Sequence, residues 1–197
     1  MFKKIFGKKD EENIDKIATD VLQVASRNNE VDKSNRIIIP ITYSFEENFF
    51  SQEKKYSNEI VFLGTLSYWP NVDAIHWFID KVFPIIRRSL PNTIFKIAGK
   101  GKVKLNSRVH SIPGVELVGA VTSTIDFLSR AAAVVVPVRK GTGMQNKILE
   151  AAWIGKEIIC TSFAAEPFNA VCKTGLRIAN SPKNFANEII DVLKNPR

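Results

Sequence analysis

From residue 60 onward the chain alternates short runs of β-branched residues with longer stretches of helical periodicity. IVFLG (60–64), TIFKIAG (93–99), VELVG (115–119), AVVVPV (133–138) and EIICTS (157–162) read as strands: each is brief and largely apolar, and all but AVVVPV end on glycine or a small polar residue. Between them, NVDAIHWFIDKVFPIIRRSL (71–90) carries apolar residues at helical spacing and stops before Pro91. STIDFLSRA (123–131) opens on a Ser/Thr cap, MQNKILEAAWIG (144–155) closes on glycine, and SPKNFANEIIDVLKN (181–195) is a capped terminal helix. Parallel strands need crossover connections, and here the helices supply them, so the alternation predicts an α/β domain: a Rossmann-like parallel sheet with helices on both faces.

Ligands of such sheets gather beyond the C-terminal ends of the strands. That rule selects the loops after Gly64, Gly99, Gly119 and Val138. The first 59 residues fit the alternation less well. Residues 1–35 read as a charged, helical lead, RIIIPI (36–41) as an apolar run, and 44–58 as a linker with an aromatic patch at Phe45, Phe49 and Phe50. The expected division is 1–35 as an appendage and 36–197 as the Rossmann-like domain.

Composition narrows the function classes. No apolar run reaches the roughly 18 residues that span a bilayer, and the basic N-terminus is not followed by an apolar core, so the expected location is the cytoplasm. Cys160 and Cys172 lack the accompanying ligands of a zinc site, and no metal is expected. A net charge of +8 favours anionic partners: nucleic acid, an anionic membrane surface, or phosphates on a small ligand. The lysines are dispersed, without a basic stripe interleaved with aromatics, which argues against nucleic acid.

The chemistry concentrates in VRKGTGMQNKILEA (138–151). A glycine-containing loop running into a helix N-terminus offers unpaired backbone N–H groups and a favourable dipole to a phosphate, and Gly143 lets the backbone approach closely. Arg139, Lys140 and Lys147 add charge that could neutralise a departing diphosphate. Glu150, one turn beyond Asn146 on the same face, could accept hydrogen bonds from the adjacent hydroxyls of a ribose. On spacing alone an ordinary reading stands level with this one: Lys147 and Glu150 as a surface i, i+3 pair, Arg139 and Lys140 as solvated cations. The loop lacks the P-loop pattern, and GKGKVKLN has no third glycine for a dinucleotide fingerprint. Weaker candidates are Tyr68 and Trp69 at a strand exit, Lys100 and Lys102 after another, and Glu166 before Pro167. His76 reads as a packed or surface histidine, and His110 has no visible partner.

These blocks, FLGTLSYWPNVDAIHWFIDKVFPIIRRSLPNTIFKIAGKG, GVELVGAV, AAAVVVPVRKGTGMQNKILEAAWIGKEIICTS and AAE, occur in an order that resembles the C-terminal, donor-binding half of retaining GT-B glycosyltransferases of family 4, the glycosyl transferases group 1. The likeness runs from about residue 36 to about 195 and is closest to a bacterial subgroup with a G-x-QNK-x-LEA segment. It implies that the chain binds a UDP- or GDP-linked sugar. Gly143, Met144 and Gln145 would hold the diphosphate through backbone amides, and Glu150 would be the ribose-binding second acid of an E-x7-E pattern. Gly64, Thr65, Lys100 and Asn146 would border the donor, with Val118 to Val121, Gly119 and Val121 among them, bordering the base. No catalytic residue is assigned and no cofactor is implied beyond the sugar nucleotide. The first acid of the pattern falls on Thr142, and the basic pair found after the first strand of many relatives falls on Thr65 and Pro70. Arg139, Lys140, Lys147 or Lys100 would substitute for it.

Enzymes of that type close a second, acceptor-binding domain over the donor domain. In this chain only residues 1–35 echo it, so a separate N-terminal domain or subunit is the expected partner, and the chain alone is expected to bind donor without transferring sugar. Glycan or lipid-linked acceptors would place it at the inner face of the membrane. The alternative is a non-catalytic interaction module derived from a glycosyltransferase, which docks through the aromatic patch and basic N-terminus.

Overall fold

The computed structural model describes residues 58–101, 109, 111–142, 145–168 and 176–195. The charged lead, the RIIIPI run, the aromatic patch and the expected boundary at 35/36 all lie outside the described residues. Six strands, β1 (Glu59–Leu63), β2 (Ile94–Ala98), β3 (Val115–Gly119), β4 (Ala133–Val136), β5 (Glu157–Cys160) and β6 (Leu176–Ile178), form one sheet in the order β3-β2-β1-β4-β5-β6. Every pairing is parallel. Chain order reverses between β1 and β4, so the loops leaving those two strands diverge and leave a crevice at the switch point.

The five strands read from the sequence are present, each within one or two residues of its expected bounds. The buried β4, with every side chain inside, is the apolar run that the alternation singled out. β6 was not expected. It is three residues long and half-exposed, too short for a period-2 pattern to register. Arg177 holds it in place, donating to Glu157 of β5 at 2.9 Å and to Glu188 and Asp191 of the terminal helix at 2.9 and 2.8 Å.

The long helix after β1 begins earlier than expected and is not uniform. It comprises α1 (Trp69–Trp77), a π-helical turn (Phe78–Val82) and α2 (Phe83–Ser89). Pro70 occupies the first turn, where a missing N–H costs nothing. Pro84 cannot donate to the carbonyl four residues back and its ring would crowd it; the preceding residue accordingly bonds one position further, with Phe83 N–H donating to the Phe78 carbonyl. The wide turn accommodates a proline that would otherwise break the helix. α3 (Thr124–Ser129) is capped by Ser123, whose hydroxyl accepts from Asp126 N–H. α4 (Asn146–Trp153) follows β4, α5 (Ser162–Ala165) is a single turn after β5, and α6 (Pro182–Lys194) is capped by Ser181.

α6 packs on α2 and the π turn, whereas α3 packs on α4, giving one helical layer on each face of the sheet. The first layer meets the sheet through aromatics: Phe78 lies 4.5 Å from Phe95 and 6.0 Å from Phe185, centroid to centroid. Each ring is fully buried and contributes about 1.5–3 kcal/mol by leaving water. A rigid base of this kind holds the strand ends, where the site lies.

Candidate functional site

The switch-point crevice is a cavity of about 280 Å³ lined by Leu63, Gly64, Thr65, Tyr68, Asn71, Thr142, Gln145, Asn146, Lys147 and Glu150. One wall is the β1–α1 turn and the other is the start of α4. Of the four loops selected from the sequence, these two line the cavity, because β1 and β4 flank the reversal of strand order; the loop after Gly99 meets the β1–α1 turn outside it, where Leu66 N–H donates to the Lys100 carbonyl at 2.8 Å. The loops after Gly99 and Gly119 leave on the β2–β3 side.

Lys147 is the unusual residue of the site. It shares the inward face of α4 with Ile148 and Ala151 and is only 7% exposed, where the amphipathic pattern calls for an apolar side chain. Its Nζ donates to Asn71 Oδ1 at 3.2 Å and stands 4.2 Å from the ring centre of Phe62. Burial lowers its pKa from 10.5 to about 7, although the nearby Glu150 charge opposes the shift. Asn71 is buried as well, and its Nδ2 donates to the Thr65 carbonyl at 3.0 Å. The ammonium needs an acceptor and the carbonyl a donor, so the amide orientation is fixed by its two partners.

Gly64 is required by this arrangement. A Cβ there would sit 2.8 Å from Asn71 Nδ2 and 3.0 Å from Lys147 Nζ. Across the cavity, Gly141 has a φ of +131° and lies against Pro70 and the Tyr68 hydroxyl, which accepts from Thr142 N–H at 3.4 Å. Tyr68 thus closes the outer end of the crevice.

Glu150 faces the same space from one turn deeper. Its pKa is raised, first by burial, against the opposing effects of a Thr124 side-chain hydrogen bond and the Lys147 charge. Its Oε2 is buried without a hydrogen-bond partner, and so is Asn146 Oδ1. Two orphaned acceptors beside a buried amine are costly to folding unless something occupies the cavity, since an unsatisfied buried polar group costs about 1–3 kcal/mol. The chemistry that satisfies all three is an anion at the lysine with hydroxyl donors at the two oxygens.

Arg139 and Lys140 are placed elsewhere. Arg139 Nη2 donates to Asp73 Oδ2 at 2.8 Å, and its guanidinium lies 5.2 Å from the Trp77 ring centre. Lys140 Nζ is 3.5 Å from Asp73 Oδ1 and 4.4 Å from the Trp69 ring centre. Asp73 and both tryptophans belong to α1, so the two cations strap the β4–α4 loop to the outer side of that helix. Neither of these two cations, expected with Lys147 to add charge for a diphosphate, lines the cavity; the Asp73 carboxylate, 66 residues away from Arg139 in sequence, holds that guanidinium on the outer side.

Among the other candidates, Gly64, Thr65, Gln145, Asn146, Lys147 and Glu150 are brought together at the cavity. Lys100 is exposed at the end of β2, and Gly119 and Val121 lie beyond β3, all outside the lining. Gly143 and Met144 lie outside the described residues, as do Lys102 and His110. Glu166 is exposed in the 3-10 turn Glu166–Phe168 and does not line the cavity. Asn71 is the cavity-lining residue that sequence reasoning missed. Its signal was there: Asn71, Ala74, Ile75 and Phe78 fall at i, i+3, i+4 and i+7, so a polar residue had to be buried at the helix start. Among the described residues no cluster of three or more His, Cys, Asp or Glu could hold a metal ion, and no helix is long and apolar enough to cross a membrane.

A parallel sheet in the order 3-2-1-4-5-6 with its cavity at the switch point defines the chain as a Rossmann-like α/β domain. Residues 57–195 match the family described as Glycosyl transferases group 1, and the chain belongs to that family. It is 26% identical over 165 residues to an "Uncharacterized 44.6 kDa protein in cps region" of Klebsiella pneumoniae, covering 80% of this chain and 42% of that protein. Among solved structures, TarM superposes with a TM-score of 0.56 at 19% identity over 73% of this chain and 30% of its own. A second, titled a glycotransferase of kitacinnamycin, gives a TM-score of 0.49 at 14% identity over 85% of this chain and 43% of its own. The chain therefore spans under half the length of these relatives.

Proposed function

We propose that this chain is the donor-binding part of a retaining GT-B glycosyltransferase of family 4, binding a UDP- or GDP-linked sugar in the switch-point cavity. The observation that carries the reading is the pairing of a buried lysine with two unsatisfied buried acceptors, Glu150 Oε2 and Asn146 Oδ1, in one crevice. In the bound state the diphosphate lies against Lys147 and the ribose hydroxyls donate to Glu150. At about 280 Å³ the cavity falls just below the roughly 300–1,000 Å³ of complete small-molecule sites, so it suits the ribose and diphosphate, with base and sugar extending outward. The acceptor, a glycan or lipid-linked glycan, would be presented by a second domain or subunit, at the inner face of a membrane. There the lysine would stabilise the charge on the departing diphosphate.

Isothermal titration with UDP, GDP and their sugar conjugates tests the reading. Saturable binding to one base series, weakened in Glu150→Ala, supports it. Binding to none of them would turn the interpretation toward a non-catalytic module, which the neutral Thr65 and Thr142 in the cavity lining favour.

A further inference from the structure

Lys147 differs from an ordinary phosphate-binding lysine in where it is held. It reaches the cavity from α4 across the end of β1, with its head fixed between the Phe62 ring at 4.2 Å and Asn71 Oδ1 at 3.2 Å. An ammonium has three N–H donors, and Asn71 takes one, leaving others for the cavity that Lys147 lines. Glu150, on the same helix, is the charged group that acts on it; Tyr68 at the head of α1 is the other ionisable residue of the lining. β1 contributes Phe62 and the turn after it Gly64, neither of which ionises, and α3 meets Glu150 through Thr124. Asp73 of α1 is engaged with Arg139 and Lys140. Glu150 is the carboxylate that favours the charged lysine, and burial outweighs it, so an anionic ligand in the cavity is what would tip the balance.

Resting on the donor-binding reading, we propose that Lys147 is a proton-gated cation: aimed by the positioning residue Asn71, it engages the diphosphate only when protonated, and wherever the amine starts neutral, binding draws a proton from solution. The neutral amine takes H⁺ from water or buffer to become the ammonium, and no other bond changes. Burial places the amine's own midpoint at about 7, within the range where such uptake is measurable.

The experiment uses UDP-glucose and GDP-mannose, whose diphosphates lack a terminal group titrating near neutrality. Calorimetry of the chain at pH 8 in buffers of different ionisation enthalpy counts protons, and 13C spectra of lysine-labelled protein follow Cε of Lys147, assigned by its loss in Lys147→Met. Uptake approaching one proton, an affinity falling about tenfold per pH unit above 7, and a Cε midpoint near 7 that rises on binding are the expected results. Lys147→Arg, charged throughout, should bind without proton uptake, and Asn71→Ala should lower both the affinity and the Cε midpoint. Tight binding with no proton uptake, or a Cε midpoint near 10, overturns the gate and leaves the donor-binding reading intact. An absence of binding overturns both.

Discussion

Two basic groups leave the same β4–α4 segment and meet opposite fates. Arg139 and Lys140 emerge on the rim, exposed, sharing one carboxylate of α1 and two tryptophan faces. Lys147 is carried by the first turn of α4 into a crevice with a neutral amide and a phenyl ring for company, and its nearest acid on the helix keeps an orphaned oxygen. The rim pairs are satisfied and contribute to holding a loop; the buried group keeps unsatisfied acceptors, Glu150 Oε2 and Asn146 Oδ1, at a cost to the fold. The contrast teaches that positive charge counted along a motif says little about which cation is available to a ligand. Availability depends on whether the folded chain has already supplied a counter-ion.

The sharpest way to break the comparison is at Glu150. On the donor-binding reading, Glu150→Ala removes the acceptor of the ribose hydroxyls, at about 1.5–3 kcal/mol for each charged hydrogen bond, so sugar-nucleotide affinity should fall about a hundredfold or more by calorimetry. Next is Lys147→Met, with an expected loss of about tenfold to thirtyfold and a gain in stability. The sign of that gain follows from the lowered folded pKa. Between about 7 and 10.5 the unfolded chain binds more protons than the folded one, so the native protein grows more stable as pH rises through that window. The advantage of Lys147→Met in denaturant melts should therefore be largest at or below pH 7 and fade toward pH 10, by at most about 1.4 kcal/mol per pH unit.

Glu150→Gln gives a smaller stability effect of related origin. A carboxyl whose folded pKa is raised loses stability as pH rises from its usual 4.5 through the folded value, so the amide should be modestly more stable at neutral pH while still binding poorly. The smallest effect belongs to the rim. Arg139→Ala should change affinity less than about threefold and stability by at most about 1 kcal/mol, the range of exposed ion pairs. A rim variant as damaging as Lys147→Met would erase the distinction between the two groups.

Much of the architecture was legible because it rests on local pattern. The βαβ alternation, the Ser123 and Ser181 caps and the apolar β4 all follow from residue types within a few positions of one another. β6 escaped because three half-exposed residues carry no pattern, and the π turn escaped because a helical period continues through it. The site was legible in its chemistry more than in its geometry. Asn146, Lys147 and Glu150 sit where a loop-then-helix reading puts them, since i, i+4 and i, i+3 spacing brings Asn146 and Lys147 each beside Glu150, with Gln145 just ahead of the helix. Arg139 went astray because its destiny is decided by Asp73, and Asn71 went unnoticed because its partners lie in two other elements. Both are long-range pairings of polar groups, which no window of sequence contains.

The most direct test of the account is a crystal structure of the chain with UDP or GDP, whichever binds, at a saturating concentration near pH 6.5. The account predicts the diphosphate within hydrogen-bond distance of Lys147 Nζ and a ribose hydroxyl on Glu150 Oε2, with Arg139 still on Asp73. A nucleotide bound at the rim on Arg139 and Lys140, with the crevice empty, would contradict it.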